Sequence, residues 1–301
     1  MKRQKKQLLK QSKQSVLIVG SGDVARRIIP WLAQRFRVRA VVRNPDERAA
    51  LRALGACPVV ADLDRPESLR RLAGLADGII HCAPPPNAGE GDPRTRRLLA
   101  ALALRGSLPR RIVYISTTGI YGDCGGAWLD ETAPPRPATA RARRRVAAEA
   151  MLRAFGQRTG CQVSLLRAPG IYDGAERLPL ARLERGDPVL LAEDDVYTNH
   201  IHADDLAWLL ALAWFRGAPG RAYNATDDSA LKMGDYFDLV ADHFGLPRPP
   251  RLARAALATR LNPITLSFMA ESRRLHNRRI CHELGARLRY PTVGATLAAL
   301  A

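Results

Sequence analysis

The chain has 301 residues, 47 Lys and Arg against 29 Asp and Glu for a formal net charge of +18, and 47% hydrophobic residues. That length fits one large α/β domain, or a dinucleotide domain carrying a smaller lobe, better than two unrelated domains. Lysine stands only at Lys2, Lys5, Lys6, Lys10, Lys13 and Lys232, so the lysine charge is a tail and the body is arginine-rich, which weakens any reading of the whole chain as a polyanion binder.

Residues 1–14, "MKRQKKQLLKQSKQ", read as a disordered, solvated basic arm. The arm lacks the apolar core of a secretion signal, and no window approaches the roughly eighteen apolar residues of a membrane span. The basic charge comes without aromatic interleaving or a known reading motif, so a nucleic-acid partner is not expected. Cys57, Cys82, Cys124, Cys161 and Cys281 include no C-x-x-C pair. They suit buried thiols in a reducing cytoplasm better than a disulfide framework or a zinc site, and no metal is expected.

From residue 16 onward short apolar runs alternate with amphipathic ones. "VLIVG" (16–20), "VRAVV" (38–42), "CPVVA" (57–61), "GIIHCA" (78–83), "RIVYIS" (111–116) and "QVSLLR" (162–167) predict buried strands. The stretches between them, such as "DVARRIIPWLAQRF" and "TARARRRVAAEAMLRAFG", predict helices. This order implies right-handed crossovers and a parallel sheet covered on both faces. The fold class is α/β: a Rossmann doubly wound parallel sheet over 15–167, with a small, mostly helical lobe over 168–301 that folds back on the sheet as a substrate-binding part.

After the first predicted strand comes "GSGDVA", which places Gly20, Ser21, Gly22, Asp23 and Val24 at the opening of a helix. The first glycine permits a tight turn, the second lets backbone N–H groups approach a pyrophosphate, and Ala25 allows close packing; the helix start adds its positive dipole. Arg43 and Asn44 stand where an acidic residue would hold the ribose of NAD. A guanidinium there suits the 2′-phosphate of NADP, so NADP is the expected cofactor, with NAD as the alternative. Asp62 and Leu63 follow the third strand, where the carboxylate would receive the adenine amino group; Ala83 and Pro84 follow the fourth, and Pro169 completes the expected cofactor contacts.

With these residues placed, the chain resembles the short-chain dehydrogenase/reductase superfamily in its extended NAD-dependent epimerase/dehydratase branch. The resemblance covers about residues 15–300 and rests on "GSGDVA", "ADL", "YISTTGIYGD", "DETAPPRP", "LLRAPGIYD", "HIHADDLAWLL" and "YNATDD" in that order. It implies a hydroxyl at Thr117 and a Tyr-x-x-x-Lys pair on the following helix. Counting back from Glu149, however, those two positions are Arg141 and Arg145.

Arginine stays protonated and cannot act as the base, yet it can clamp an anion or a developing oxyanion. Arg141 and Arg145 are expected on one helix face, with Arg143 turned away. Thr117 would orient the reacting oxygen, and water or Tyr121 would relay protons. Tyr172, His81, and the pair His200 and His202 are weaker candidates, as are Arg273, Arg274 and Asn277 near the end. These residues imply an NADP-preferring oxidoreductase or epimerase-like enzyme on an anionic or sugar-derived small molecule. The alternative is a non-catalytic NADP-binding sensor. Oligomeric state is not legible.

Overall fold

A computed structural model of the chain describes residues 13–174 and 176–300. Residues 1–12 of the expected basic arm lie outside them. Seven parallel strands form the central sheet: β1 (Ser15–Val19), β2 (Arg37–Val42), β3 (Cys57–Val60), β4 (Gly78–His81), β5 (Arg111–Thr117), β6 (Gln162–Ala168) and β9 (Ala222–Asn224). Their spatial order is β9-β6-β5-β4-β1-β2-β3. The chain thus runs outward from β1 to one edge, returns through β4 and continues to the other edge. The crevice at the strand ends between β1 and β4 is where such a sheet binds ligands.

Strand side chains alternate between two cores because successive residues point to opposite faces. Val16 and Ile18 join α1 (Asp23–Arg35) and α4 (Ala203–Arg216) in one core. Leu17 and Val19 join α2 (Pro93–Leu102) and α3 (Ala140–Thr159) in the other. Both faces are therefore covered, which explains why the strands are predominantly apolar. The 20-residue α3 begins where the Thr139 side chain accepts from the Ala142 N–H, and it stops at Gly160 in the left-handed region, φ 72°.

Beyond β6 the chain builds a smaller set of elements. β7 (Gly170–Tyr172) pairs in parallel with β8 (His200–His202), and α5 (Met233–Phe244) packs Tyr236, Phe237 and Val240 into a third core. Two parallel two-residue pairs, Trp128–Leu129 with Arg274–Leu275 and Val189–Leu190 with Arg251–Leu252, tie the last third to earlier segments. The strand read at "RAYNATDD" is real, and its place is the edge of the central sheet, with Ala222 opposite Leu165. Among the described residues no helix is long and apolar enough to cross a membrane.

Candidate cofactor cleft and substrate pocket

The C-terminal ends of β1 to β4 surround a cavity of about 470 Å³. Gly20, Ser21, Gly22, Arg43, Asp62, Leu63, Ala83 and Pro84 all line it. Gly20 has φ 93°, and a Cβ there would stand 2.3 Å from the backbone nitrogen of Ala83, so the turn demands glycine. At Gly22 a Cβ would meet no protein atom within 4 Å; its bareness leaves room for something other than protein. Ser21 donates to the Val41 carbonyl at 2.6 Å and ties the turn to β2.

Other expected cofactor residues are placed differently. Val24 is buried behind the turn. Asp23 is held by Arg27 at 3.0 Å and by Arg177 at 3.1 Å. The Asn44 side chain caps the following turn by accepting from the Asp46 N–H, and Pro169 lines a second pocket. Sequence reasoning missed Arg94, which pairs with both oxygens of Asp64 and donates to the Pro84 carbonyl, bracing the proline loop. It also missed Arg65 and Arg71, which share a cavity of about 410 Å³ with Arg43 and Ser68.

The second pocket, about 360 Å³, brings together Thr117, Arg141 and Pro169. His200, Tyr236, Arg182, Glu271 and Arg273 also line it. Arg141 lays its guanidinium 4.0 Å above the Phe268 ring and donates to Ser267 Oγ at 3.2 Å. Arg145 does not line this pocket. Its Nη1 donates to the Tyr114 hydroxyl and to the Ile115 carbonyl oxygen, both at 2.8 Å. The expected two-arginine clamp therefore resolves into one pocket arginine and one strap onto β5. Arg143 is exposed and pairs with Glu90 at 2.6 Å, as a side chain turned from that face should.

Tyr121 is fully buried in a polar network under the pocket. Its hydroxyl donates to Asn224 Oδ1 at 2.7 Å and accepts from Arg167 at 2.8 Å. Arg167 in turn holds Glu149 at 3.0 Å, and Glu149 accepts from Ser116 Oγ at 2.6 Å. Burial pushes the Tyr121 hydroxyl up to about 12, only partly offset by the Arg167 charge. Tyr172 is likewise engaged, donating to Asp227 at 3.1 Å.

His81 and His200 are both buried, and burial lowers each to about 4. Thr95 gives its hydroxyl proton to Asp92 at 2.6 Å, so its oxygen accepts from His81 Nε2 at 3.0 Å. His81 Nδ1 and His200 Nδ1 are both buried without a hydrogen-bond partner among the described residues. His202 caps α4 and stacks on Tyr290, ring centroids 3.7 Å apart. Among the described residues no group of three or more His, Cys, Asp or Glu side chains is placed to hold a metal.

A glycine turn at the β1–α1 junction, a cleft along the strand ends and a second pocket beside β5 define a Rossmann dinucleotide-binding protein. Residues 20–213 match the profile of the NAD(P)H-binding family, and the chain belongs to that family. The 4-hydroxy-2-methyl-3-oxo-4-farnesyl-3,4-dihydroquinoline-1-oxide ketoreductase of Stigmatella aurantiaca is 27% identical over 258 residues, 79% of this chain and 76% of that one. A functionally unknown conserved protein from Silicibacter pomeroyi is 33% identical, with a TM-score of 0.79 over 95% of this chain and 98% of that one. UDP-glucose 4-epimerase of Thermotoga maritima, solved with UDP-glucose, shares the fold: TM-score 0.76, 16% identity, 94% of this chain and 96% of that one. The resemblance to the epimerase/dehydratase branch is thereby borne out at the level of fold and nicotinamide-cofactor class.

Proposed function

We propose that the protein is an NADP-dependent oxidoreductase that reduces a carbonyl on an anionic small molecule, sugar-derived compounds included. The observation that carries this reading is the meeting of Thr117 and Arg141 in one pocket at the end of β5, the strand beside β4 and the cofactor crevice. Bound NADPH would supply the hydride. The Thr117 hydroxyl orients the carbonyl oxygen, and the Arg141 guanidinium stabilises the negative charge that develops on it. The proton comes from water, since the Tyr121 hydroxyl is committed to Arg167 and Asn224. A ketoreductase among the relatives supports carbonyl reduction. Arg43, with Arg65 and Arg71 around one cavity, supports the 2′-phosphate of NADP over the bare ribose of NAD.

Calorimetric titration with NADPH, NADP, NADH and NAD tests the reading. NADPH should bind, and Arg43→Ala should weaken it about tenfold or more while leaving NADH little changed. Failure of all four to bind would overturn it. The second reading, a cofactor-binding sensor without turnover, is favoured by the arginines at both positions of the usual Tyr-x-x-x-Lys pair. Tight NADPH binding with no oxidation of NADPH across a panel of carbonyl compounds would select it.

A further inference from the structure

Three guanidinium groups line the second pocket, those of Arg141, Arg182 and Arg273. Arg182, on the short helix Leu180–Glu184, lies 4.5 Å above the Phe237 ring. Its Nε and Nη2 are buried and have no hydrogen-bond partner among the described residues. These two donors share one edge of the guanidinium, the edge that binds two oxygens of a phosphate or carboxylate side by side. Asp187 stands 3.5 Å from Nε and is shared with Arg185, which it meets more closely at 2.8 Å. Arg273 uses Nη1 for Glu271 and the Gly122 carbonyl, both at 2.8 Å, and its Nε is also buried and unpartnered.

Buried donors are nearly always satisfied. Among the described residues Arg182 Nη2 and Arg273 Nε have no acceptor, and Arg182 Nε has only Asp187 at 3.5 Å, so the arginines beside this cavity are short of acceptors. The charge balance agrees. Glu271 pairs with Arg273, Asp187 partly offsets Arg182, and Arg141 contacts Ser267 and Phe268 with no ion pair among the described residues. Burial lowers the proton affinity of both Arg141 and Arg182, a sign that their charges are under-compensated. At about 360 Å³ the pocket lies at the small end of ligand sites, which run from about 300 to 1,000 Å³.

We infer that this pocket binds a small phosphate monoester, its phosphate held by Arg182 with Arg273 and Arg141. A phosphate monoester carries about −1.5 to −2 charge near neutral pH and three acceptor oxygens, matching the surplus charge and the orphaned donors. The inference deepens the proposed function, on which it rests for the pocket being the substrate site, and it gives the anionic substrate its class. His200 and Tyr236, ring centroids 4.3 Å apart, wall the same pocket and would face the carbon skeleton.

The test is titration of the NADPH-saturated protein with inorganic phosphate and then with UDP, for wild type, Arg182→Gln, Arg182→Lys and Arg141→Gln. Wild type should bind phosphate saturably. Arg182→Gln should weaken it about tenfold or more, Arg182→Lys should recover only part, and NADPH affinity should stay unchanged. Circular dichroism identifies a variant that fails to fold, in which case Arg141→Gln carries the comparison and should also weaken phosphate. Phosphate affinity equal in wild type and in the folded variants overturns the inference. Binding of UDP with no saturable binding of phosphate overturns it in favour of a nucleotide site. If NADPH does not bind at all, the proposed cofactor use fails, while the same phosphate series on cofactor-free protein still decides this pocket, because Arg182 lies outside the dinucleotide cleft.

Discussion

Arg145 donates from one nitrogen to both the Tyr114 hydroxyl and the Ile115 carbonyl oxygen, straddling β5 from the helix that follows it. Charge-assisted bonds of this kind make it a structural strap. Arg145→Met should lower the urea-unfolding free energy by about 1–3 kcal/mol. Arg141→Met should instead leave the urea midpoint near that of wild type and abolish carbonyl reduction. A midpoint untouched by Arg145→Met would show that the strap carries no weight.

Gly20 and Gly22 separate the fold from the ligand. Gly20→Ala forces a Cβ against the Ala83 backbone at a positive φ, so melting temperature and NADPH affinity should fall together. Gly22→Ala adds a methyl group to open space and should leave the melting temperature within about a degree of wild type, since it touches nothing that packs. Its NADPH affinity should nonetheless drop about tenfold, because the backbone can no longer approach the pyrophosphate. A Gly22→Ala protein that binds NADPH normally would place the dinucleotide elsewhere.

The Glu149–Arg167 pair sits at 3.0 Å with both side chains nearly buried. Removing one partner leaves the other charge unpaired in the interior, so Glu149→Leu or Arg167→Met should each cost about 3–5 kcal/mol in chemical denaturation. The double replacement should cost clearly less than the sum. Additive losses would mean that the pair is not energetically coupled.

Acid should destabilise the protein through its buried imidazoles. Burial depresses His200 from 6.5 to about 4, so the unfolded chain binds the extra proton between those values. The stability is complete above about pH 6.5 and is withdrawn as pH falls toward 4; for this one group the loss between pH 7 and 4.5 is about 2–3 kcal/mol. His200→Phe, which keeps an aromatic ring against Tyr236, should lose that much less over the same interval. Parallel stability curves for wild type and variant from pH 7 to 4.5 would refute the assignment.

The alternation of strands and helices and the glycine turn were legible because they depend on short-range signals: apolar runs, helix periodicity, and glycines directly after β1. Eight of the residues named from sequence do line the cleft. The fate of Arg141 and Arg145 was only half legible. Helical spacing puts their Cα atoms on one face, but the side chains diverge, one to Phe268 of a segment more than a hundred residues away and one back to Tyr114. Arg182 carried no motif at all. Its importance arises from where the Leu180–Glu184 helix is folded against α5, which no local pattern encodes. Tyr121 looked available because it follows a strand end; its partners Arg167 and Asn224 come from two other strands.

The dinucleotide cleft draws its walls from residues 19 to 94, whereas the second pocket draws its walls from residues 117 to 273. The two cavities are thus encoded by nearly separate stretches of chain. Substitutions in the later stretch can reshape the second pocket while the walls of the dinucleotide cleft stay as they are, so the two cavities can vary independently.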